Sequence, residues 1–209
     1  KLLGNYLPPK QKQLPIPGPL PTIEIPEISF TGYASVWENL PPAIASVQPK
    51  PMEMYGQNSG FILYRTRLIG HKKGKLRITD LHDYATVFVD GKYAGKLDRS
   101  KAENSIDLPE STGANPQLDI LVEGMGHINF AEYMIDRKGI TDRVTLNGMT
   151  LMNWQVFPLP FDKKFLDNLN FTASLPSRPG IFFKGKFELD QTGDTWFDVS
   201  HWKKGVVWV

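Results

Sequence analysis

"HDYATVFVDGKYAGKL", residues 82–97, reads as strand, tight turn and strand. Ala85, Val87 and Val89 alternate with Thr86 and Phe88, the period-two pattern of a pleated strand. Asp90-Gly91 then supplies the two positive-φ residues of a two-residue hairpin turn. The chain closes on "WKKGVVWV", residues 202–209, which resembles the first half of the same hairpin without its turn and return strand.

Working outward, the same grammar repeats. "GFILYRTRLI", "KLRITDL", "NSIDLP", "QLDILVEG" and "RVTLNGMTLMNWQVFPL" are short β-rich runs separated by turn residues at close spacing. That pattern predicts an all-β chain built as a β-sandwich or jelly roll. Asn147-Gly148 marks a second hairpin of the same turn type. One short helix is expected in "FDKKFLDNL", where Phe161, Phe165, Leu166 and Leu169 fall on one face.

Composition narrows the function classes. The chain has 209 residues, 41% of them hydrophobic, enough to bury a core in one large domain or two smaller ones. A net charge of +2 makes no electrostatic case for nucleic acid or an anionic membrane. No apolar run approaches the ~20 residues that cross a bilayer as a helix. With no cysteine there are no disulfides, thiol nucleophiles or thiolate metal sites. The N-terminus reads as an interior cut, so the lack of a leader says nothing about export. Residues 8–26 hold seven of the 17 prolines and can form neither helix nor central strand. They read as an extended connector, with Leu14, Ile16, Leu20, Ile23 and Ile25 able to lie against a surface; a proline-rich ligand segment has similar composition.

Shifting the sequence by 120 positions aligns "GFILYRTRL" from Gly60 with "GIFFKGKFE" from Gly180, and "ATVFV" from Ala85 with "GVVWV" from Gly205. The shared offset predicts one complete sandwich followed by an incomplete second copy. A sandwich cut in this way exposes an unpaired edge, and the run 28–40 is the available strand to cover it. The expected partition is therefore a Pro-rich linker over 1–27, a strand and bridge belonging to the second sandwich over 28–50, the first sandwich over 51–157, and the incomplete second sandwich over 158–209.

Candidate chemistry is sparse. Glu123 ends an apolar strand beside Gly124-Met125-Gly126; a carboxylate there either does acid–base work or accepts hydrogen bonds from the turn. Asp90, Asp98, Asp107, Asp136, Asp190 and Asp194 read as turn residues. The four histidines, His71, His82, His127 and His201, have no metal-ligand spacing, so neither a metal nor a cofactor is expected. "HKKGK" from His71 is either a polyanion patch or a solvated turn. Gly124-x-Gly126 lacks the third glycine and the helix of a dinucleotide site, and no serine sits in a nucleophile elbow. The loop "GMGHINFAEYMIDRKGI", 124–140, is the most functional in character, with His127, Asn129, Phe130 and Tyr133 between two strands. Aromatic faces with amides suit sugar rings; alternatively Phe130 and Tyr133 plug the end of the core.

"GFILYRT" (60–66), "HDYATVFVDG" (82–91), "LDILVEGMGHINFAEYMIDRKGI" (118–140) and "WQVFPL" (154–159) together resemble the non-catalytic C-terminal region of family 35 β-galactosidases. "GVVWV" resembles a later strand of that family. The resemblance covers roughly residues 50–209. It implies galactose-binding-domain-like jelly-roll sandwiches packed against a (β/α)₈ barrel. The barrel, of about 250 residues, carries two glutamates of a retaining mechanism with carboxyls about 5 to 5.5 Å apart. Neither glutamate can be assigned here, so no residue of this chain is a catalytic candidate, and whether the chain itself is an enzyme stays open. The resemblance implies that Asn129, Phe130 and Tyr133 face the barrel entrance. Phe130 stands where many members have tyrosine, keeping an apolar wall but putting a hydroxyl contact in doubt. Implied partners are the absent barrel and a β-galactoside, in a periplasmic, secreted or lysosome-like compartment. An independent carbohydrate-binding module, or a protein–protein interaction domain, is the alternative.

Overall fold

The computed structural model describes every residue except 1, 2, 9–13, 26, 71, 72, 131, 133 and 203. Residues 31–184 form one compact unit, and residues 1–30 with 185–209 form another. In chain order the strands are β1 (Phe30–Ser35), β2 (Ile44–Ser46), β3 (Gly60–Arg67), β4 (Gly74–Ile78), β5 (Leu81–His82), β6 (Tyr84–Val89) and β7 (Lys92–Asp98). They continue with β8 (Ser105–Leu108), β9 (Gln117–Gly124), β10 (Gly139–Ile140), β11 (Val144–Leu146), β12 (Met149–Thr150), β13 (Trp154–Leu159) and β14 (Ile181–Gly185). The helix α1 (Lys163–Asp167) is a single short turn, capped by Asp162, whose side chain accepts from the Phe165 N–H.

The chain is all-β, as its turn spacing predicts. A six-stranded sheet in the order β2-β13-β3-β9-β6-β7 lies against a four-stranded sheet ordered β12-β11-β4-β8. Every pairing within them is antiparallel. Leu118, Ile120 and Val122 of β9, with Ala85, Val87 and Val89 of β6, meet Leu76, Ile78, Leu108, Val144 and Leu146 of the smaller sheet. Nearly all are fully buried, and each such aliphatic side chain contributes about 1.5–3 kcal/mol. Both hairpin turns form as expected: Asp90 and Gly91 have φ of 48° and 78°, Asn147 and Gly148 of 50° and 84°. A bulge between Val87 and Phe88 in the pairing of β6 with β7 skips Ala94.

The other face of the six-stranded sheet is also covered, which accounts for Phe88 being buried opposite Val87. Leu63, Leu121, Phe157 and Leu159 pack there with Val36 and Phe161, flanked by Trp37, Phe165 and Phe182. Asp119, on the same face and wholly buried, takes Arg65 Nε at 2.6 Å and Arg178 Nη2 at 2.9 Å. The Arg178 guanidinium also stacks 3.1 Å over the Trp37 ring, whose Nε1–H donates to Pro179 O at 2.7 Å. An interior carboxylate thus ties two incoming segments to the sheet.

β1 pairs with β14 and not with β3. Gly60 and Gly180, equivalent under the 120-residue offset, both hold positive φ, 91° and 97°, at the mouths of β3 and β14. The offset does not extend to the second pair of segments, since Gly205–Val209 form no strand. After β1, Ile44–Ser46 pairs with Val156–Trp154 of β13, occupying an edge that would otherwise present unpaired backbone groups. In the unit of residues 1–30 and 185–209, residues 14–25 of the proline-rich connector form no helix and no strand longer than one bridge. Thr22 forms a parallel bridge with Asp194, and Asp194 N–H donates to Pro21 O at 2.8 Å.

Replacing Asp119 with alanine leaves two partly shielded guanidinium groups without their carboxylate. The expected loss is about 3 kcal/mol, read as a lowered urea midpoint with an unchanged m-value; a shift below 0.5 kcal/mol contradicts this role.

Candidate functional site

The loop between β9 and β10, residues 125–138, is anchored by charge. Lys138, just before β10, is 2% exposed, yet carries an ammonium group into the interior. Its Nζ lies 2.8 Å from Asp83 Oδ2 and 2.6 Å from Asp136 Oδ2. Arg99, at the end of β7, completes the cluster with Nη1 at 2.8 Å from Asp83 Oδ1 and 3.1 Å from Asp136 Oδ1. Asp83 stands between β5 and β6, so three separate segments converge on one cluster of four charges. A buried ion survives only when paired and hydrogen-bonded, and here each charge has at least two partners.

The backbone continues the anchor. Met125 N–H donates to Asp83 Oδ2 at 2.8 Å, fixing the loop's first residue. Lys138 N–H donates to Glu53 Oε1 at 2.9 Å, and Met52 N–H to Lys138 O at 2.8 Å. Tyr64, buried in the core, accepts from Ile140 N–H at 3.1 Å and donates to Lys50 O at 2.7 Å. Burial pushes the Tyr64 phenol well above its ordinary range. Burial opposes ionisation of Asp136 too, but hydrogen bonds from Lys138, His82 and Arg99 outweigh it and hold the carboxyl well below the usual range. Asp83 follows the same balance: burial raises it, while Lys138, Arg99 and the Met125 N–H lower it further.

His82, Asp83 and Asp136 offer ligand atoms within 4.8 Å of one another. The carboxylate oxygens concerned already face Lys138 and Arg99, so a divalent cation would have to displace a buried ammonium. The donor set fits an ion-pair network and not a metal centre.

Above this base the loop carries apolar side chains into water. Phe130 is 83% exposed and Ile135 88%, and Met125, Ile128 and Met134 are also exposed. Phe130 therefore does not plug the core near Leu121 and Val144. Asn129 is exposed beside it, and Tyr133 lies outside the described residues. Glu123 continues β9 opposite Phe61 and Tyr84, and its carbonyl accepts from Asp83 N–H at 3.1 Å.

Elsewhere, an open groove of about 580 Å³ is lined by Asn39, Pro41, Pro42, Tyr55, Gln57 and Phe165 among others. Its amides are spent inside the fold: Gln57 Nε2 donates to Ser59 O and Phe61 O, and Asn39 Nδ2 to Ser35 O. In the "HKKGK" run, His71 and Lys72 lie outside the described residues, and Lys73 makes an exposed ion pair with Glu110 at 3.2 Å.

From the sequence Asp136 reads as a turn residue, and nothing in it singles out Asp83, Arg99 or Lys138. The signal available was "MIDRKG" itself, a carboxylate two residues before a lysine at a strand entrance, but charge spacing in a loop does not reveal burial.

Comparison with known proteins places this geometry in context. The family described as "Beta-galactosidase, first all-beta domain" matches residues 49–160. A β-galactosidase of Xanthomonas manihotis is 36% identical over 194 residues, 92% of this chain and 32% of its own length. Beta-galactosidase 17 of Arabidopsis thaliana is 34% identical, with 79% of this chain and 28% of its own covered. The Homo sapiens β-galactosidase is 31% identical over 190 residues, again 79% and 28%. The chain thus spans about a third of the length of these curated relatives.

Lys138→Met removes the cation shared by two buried carboxylates, with an expected cost of about 3–5 kcal/mol near neutral pH. In the wild type Asp83 and Asp136 have depressed values, so their contribution is complete above the unfolded carboxyl range and is lost as pH falls through the folded values. Without the lysine the neighbouring carboxyls favour a shared proton, so the deficit should shrink between pH 7 and about pH 4. Denaturant midpoints across that range check it; a deficit that grows on acidification contradicts it.

Proposed function

We propose that this chain, which belongs to the family of the first all-beta domain of β-galactosidases, is the accessory β-sandwich part of an enzyme that removes terminal β-galactose. Its role is to buttress a catalytic barrel and to wall one side of that barrel's entrance. The observation that carries this reading is the match over residues 49–160 to a domain of β-galactosidases, in relatives about three times as long.

The loop geometry supports the second half of the role. Asn129 and Phe130 stand in water on a base fixed by buried ion pairs, an arrangement suited to a surface completed by another domain or a ligand. An apolar wall at an entrance would touch the aglycone and leave the galactose itself to the catalytic site. Tyr133 is proposed as a further member of this wall. The jelly-roll strand order and a second sandwich formed by residues outside 51–157 belong to the same proposal, with the pairing of β1 and β14 as their support.

This chain alone should not hydrolyse an aryl β-galactoside, because a retaining mechanism needs two carboxylates preorganised on the sugar. Turnover that survives repurification and depends on a glutamate of this chain overturns the reading. In the full-length enzyme, Phe130→Ala should raise KM several-fold for galactosides with a bulky aglycone. The loss is on the order of 1–2 kcal/mol of uniform binding, with kcat on an activated substrate little changed. Saturable galactose binding to the isolated chain would favour a carbohydrate-binding module instead.

A further inference from the structure

His127 is placed in an unusual pair of contacts. Its Nδ1 lies 2.9 Å from the carbonyl oxygen of Asp136, and its Nε2 2.9 Å from the carbonyl oxygen of Asn58. A carbonyl oxygen only accepts, so each contact requires an N–H on the ring. Neutral imidazole has one N–H, imidazolium two. Both contacts are hydrogen bonds only when the ring is protonated; in either neutral tautomer one of them sets lone pair against lone pair.

The two carbonyls belong to different segments. Asn58 lies in the turn that leads into β3, Asp136 in the far leg of the 125–138 loop, and His127 in the near leg. The imidazolium therefore joins both legs to each other and to the neighbouring turn. His82 repeats the pattern at the same residue: Nδ1 lies 3.0 Å from Asp136 Oδ1 and Nε2 3.0 Å from Asp80 Oδ1. Asp136 is thus held by one histidine at its carbonyl and by another at its carboxylate.

We propose that the two legs of this loop, at His127 and at Asp136, are fastened by acid: protonation of His127, seconded by His82, ties the legs to each other and to the turn at Asn58, and loss of the His127 proton releases one of those links. The charged groups around His82 are Asp80 and Asp136 in contact, with Arg99, Lys138 and Asp83 beyond Asp136. Three carboxylates then face three cations only when His82 carries its proton. Among the described residues no carboxylate lies within ion-pair distance of His127, so its proton is held by the two carbonyls. The carboxylates do not confuse the response. Burial raises Asp80, but hydrogen bonds from Thr141 and His82 outweigh it, and it sits below its ordinary range with Asp83 and Asp136. The consequence for a substrate entrance rests on the function proposed above; the fastening itself does not.

The test uses this 209-residue chain labelled with ¹⁵N. At pH 5 the ring nitrogens of His127 should both show protonated shifts. Protection factors of the amides of residues 125–130 and 134–136 should be about threefold to tenfold higher at pH 5 than at pH 8, the effect of one hydrogen bond. Val122, in the core, serves as the internal control and should not follow. In His127→Gln the loop's pH dependence should disappear while Val122 keeps its protection. A neutral His127 ring at pH 5, loop protection equal at both pH values, or a pH dependence that persists in His127→Gln each overturns the proposal. Should the variant fail to fold, the ring shifts of the wild type decide the matter. None of these readouts involves sugar or turnover, so the outcome is separate from that of the Phe130 experiment.

Discussion

A single buried ammonium fixes the end of this sandwich. An ammonium in a core is costly unless paired, and Lys138 is paired with both Asp83 and Asp136. Because those carboxylates come from the entry to β6 and the far leg of the loop, pairing them decides where both segments go. Arg99 then ties in the end of β7, and Glu53 and Met52 receive the backbone of Lys138 itself. Apolar packing alone would leave this loop free to slide. Ion pairs have direction, and these leave it one seat.

The opposite face of the six-stranded sheet uses the same device with reversed sign. There the buried member is a carboxylate, Asp119, and the cations arrive from a neighbouring strand and from the segment ahead of β14. Arg178 adds its stacking on Trp37, so the second layer is fastened by a planar cation able to meet a carboxylate and an aromatic face together.

Much of the sheet was legible because side-chain alternation and turn chemistry are local. The hairpin at Asp90-Gly91, the one at Asn147-Gly148 and the full length of β9 follow from the residues they contain. The edge strand Ile44–Ser46 was not, because its place depends on the open edge of β13, far along the chain. The loop's apolar exposure was ambiguous in sequence, since Phe130 in a glycine-flanked loop reads equally as a plug or as a surface. Its anchor was invisible: Asp136 and Lys138 look like solvated loop charges until Asp83 is brought beside them. Pairings between residues 55 apart are set by the fold and leave no periodic trace.

The loop's two legs belong to the rigid sandwich although Phe130 and Ile135 stand exposed in water. Backbone ¹⁵N relaxation on the isolated chain tests this most directly. The amides of Met125, His127, Asp136 and Lys138 should have order parameters of about 0.85, equal to those of β9. Values below about 0.6 at these four positions, with β9 still rigid, would contradict it.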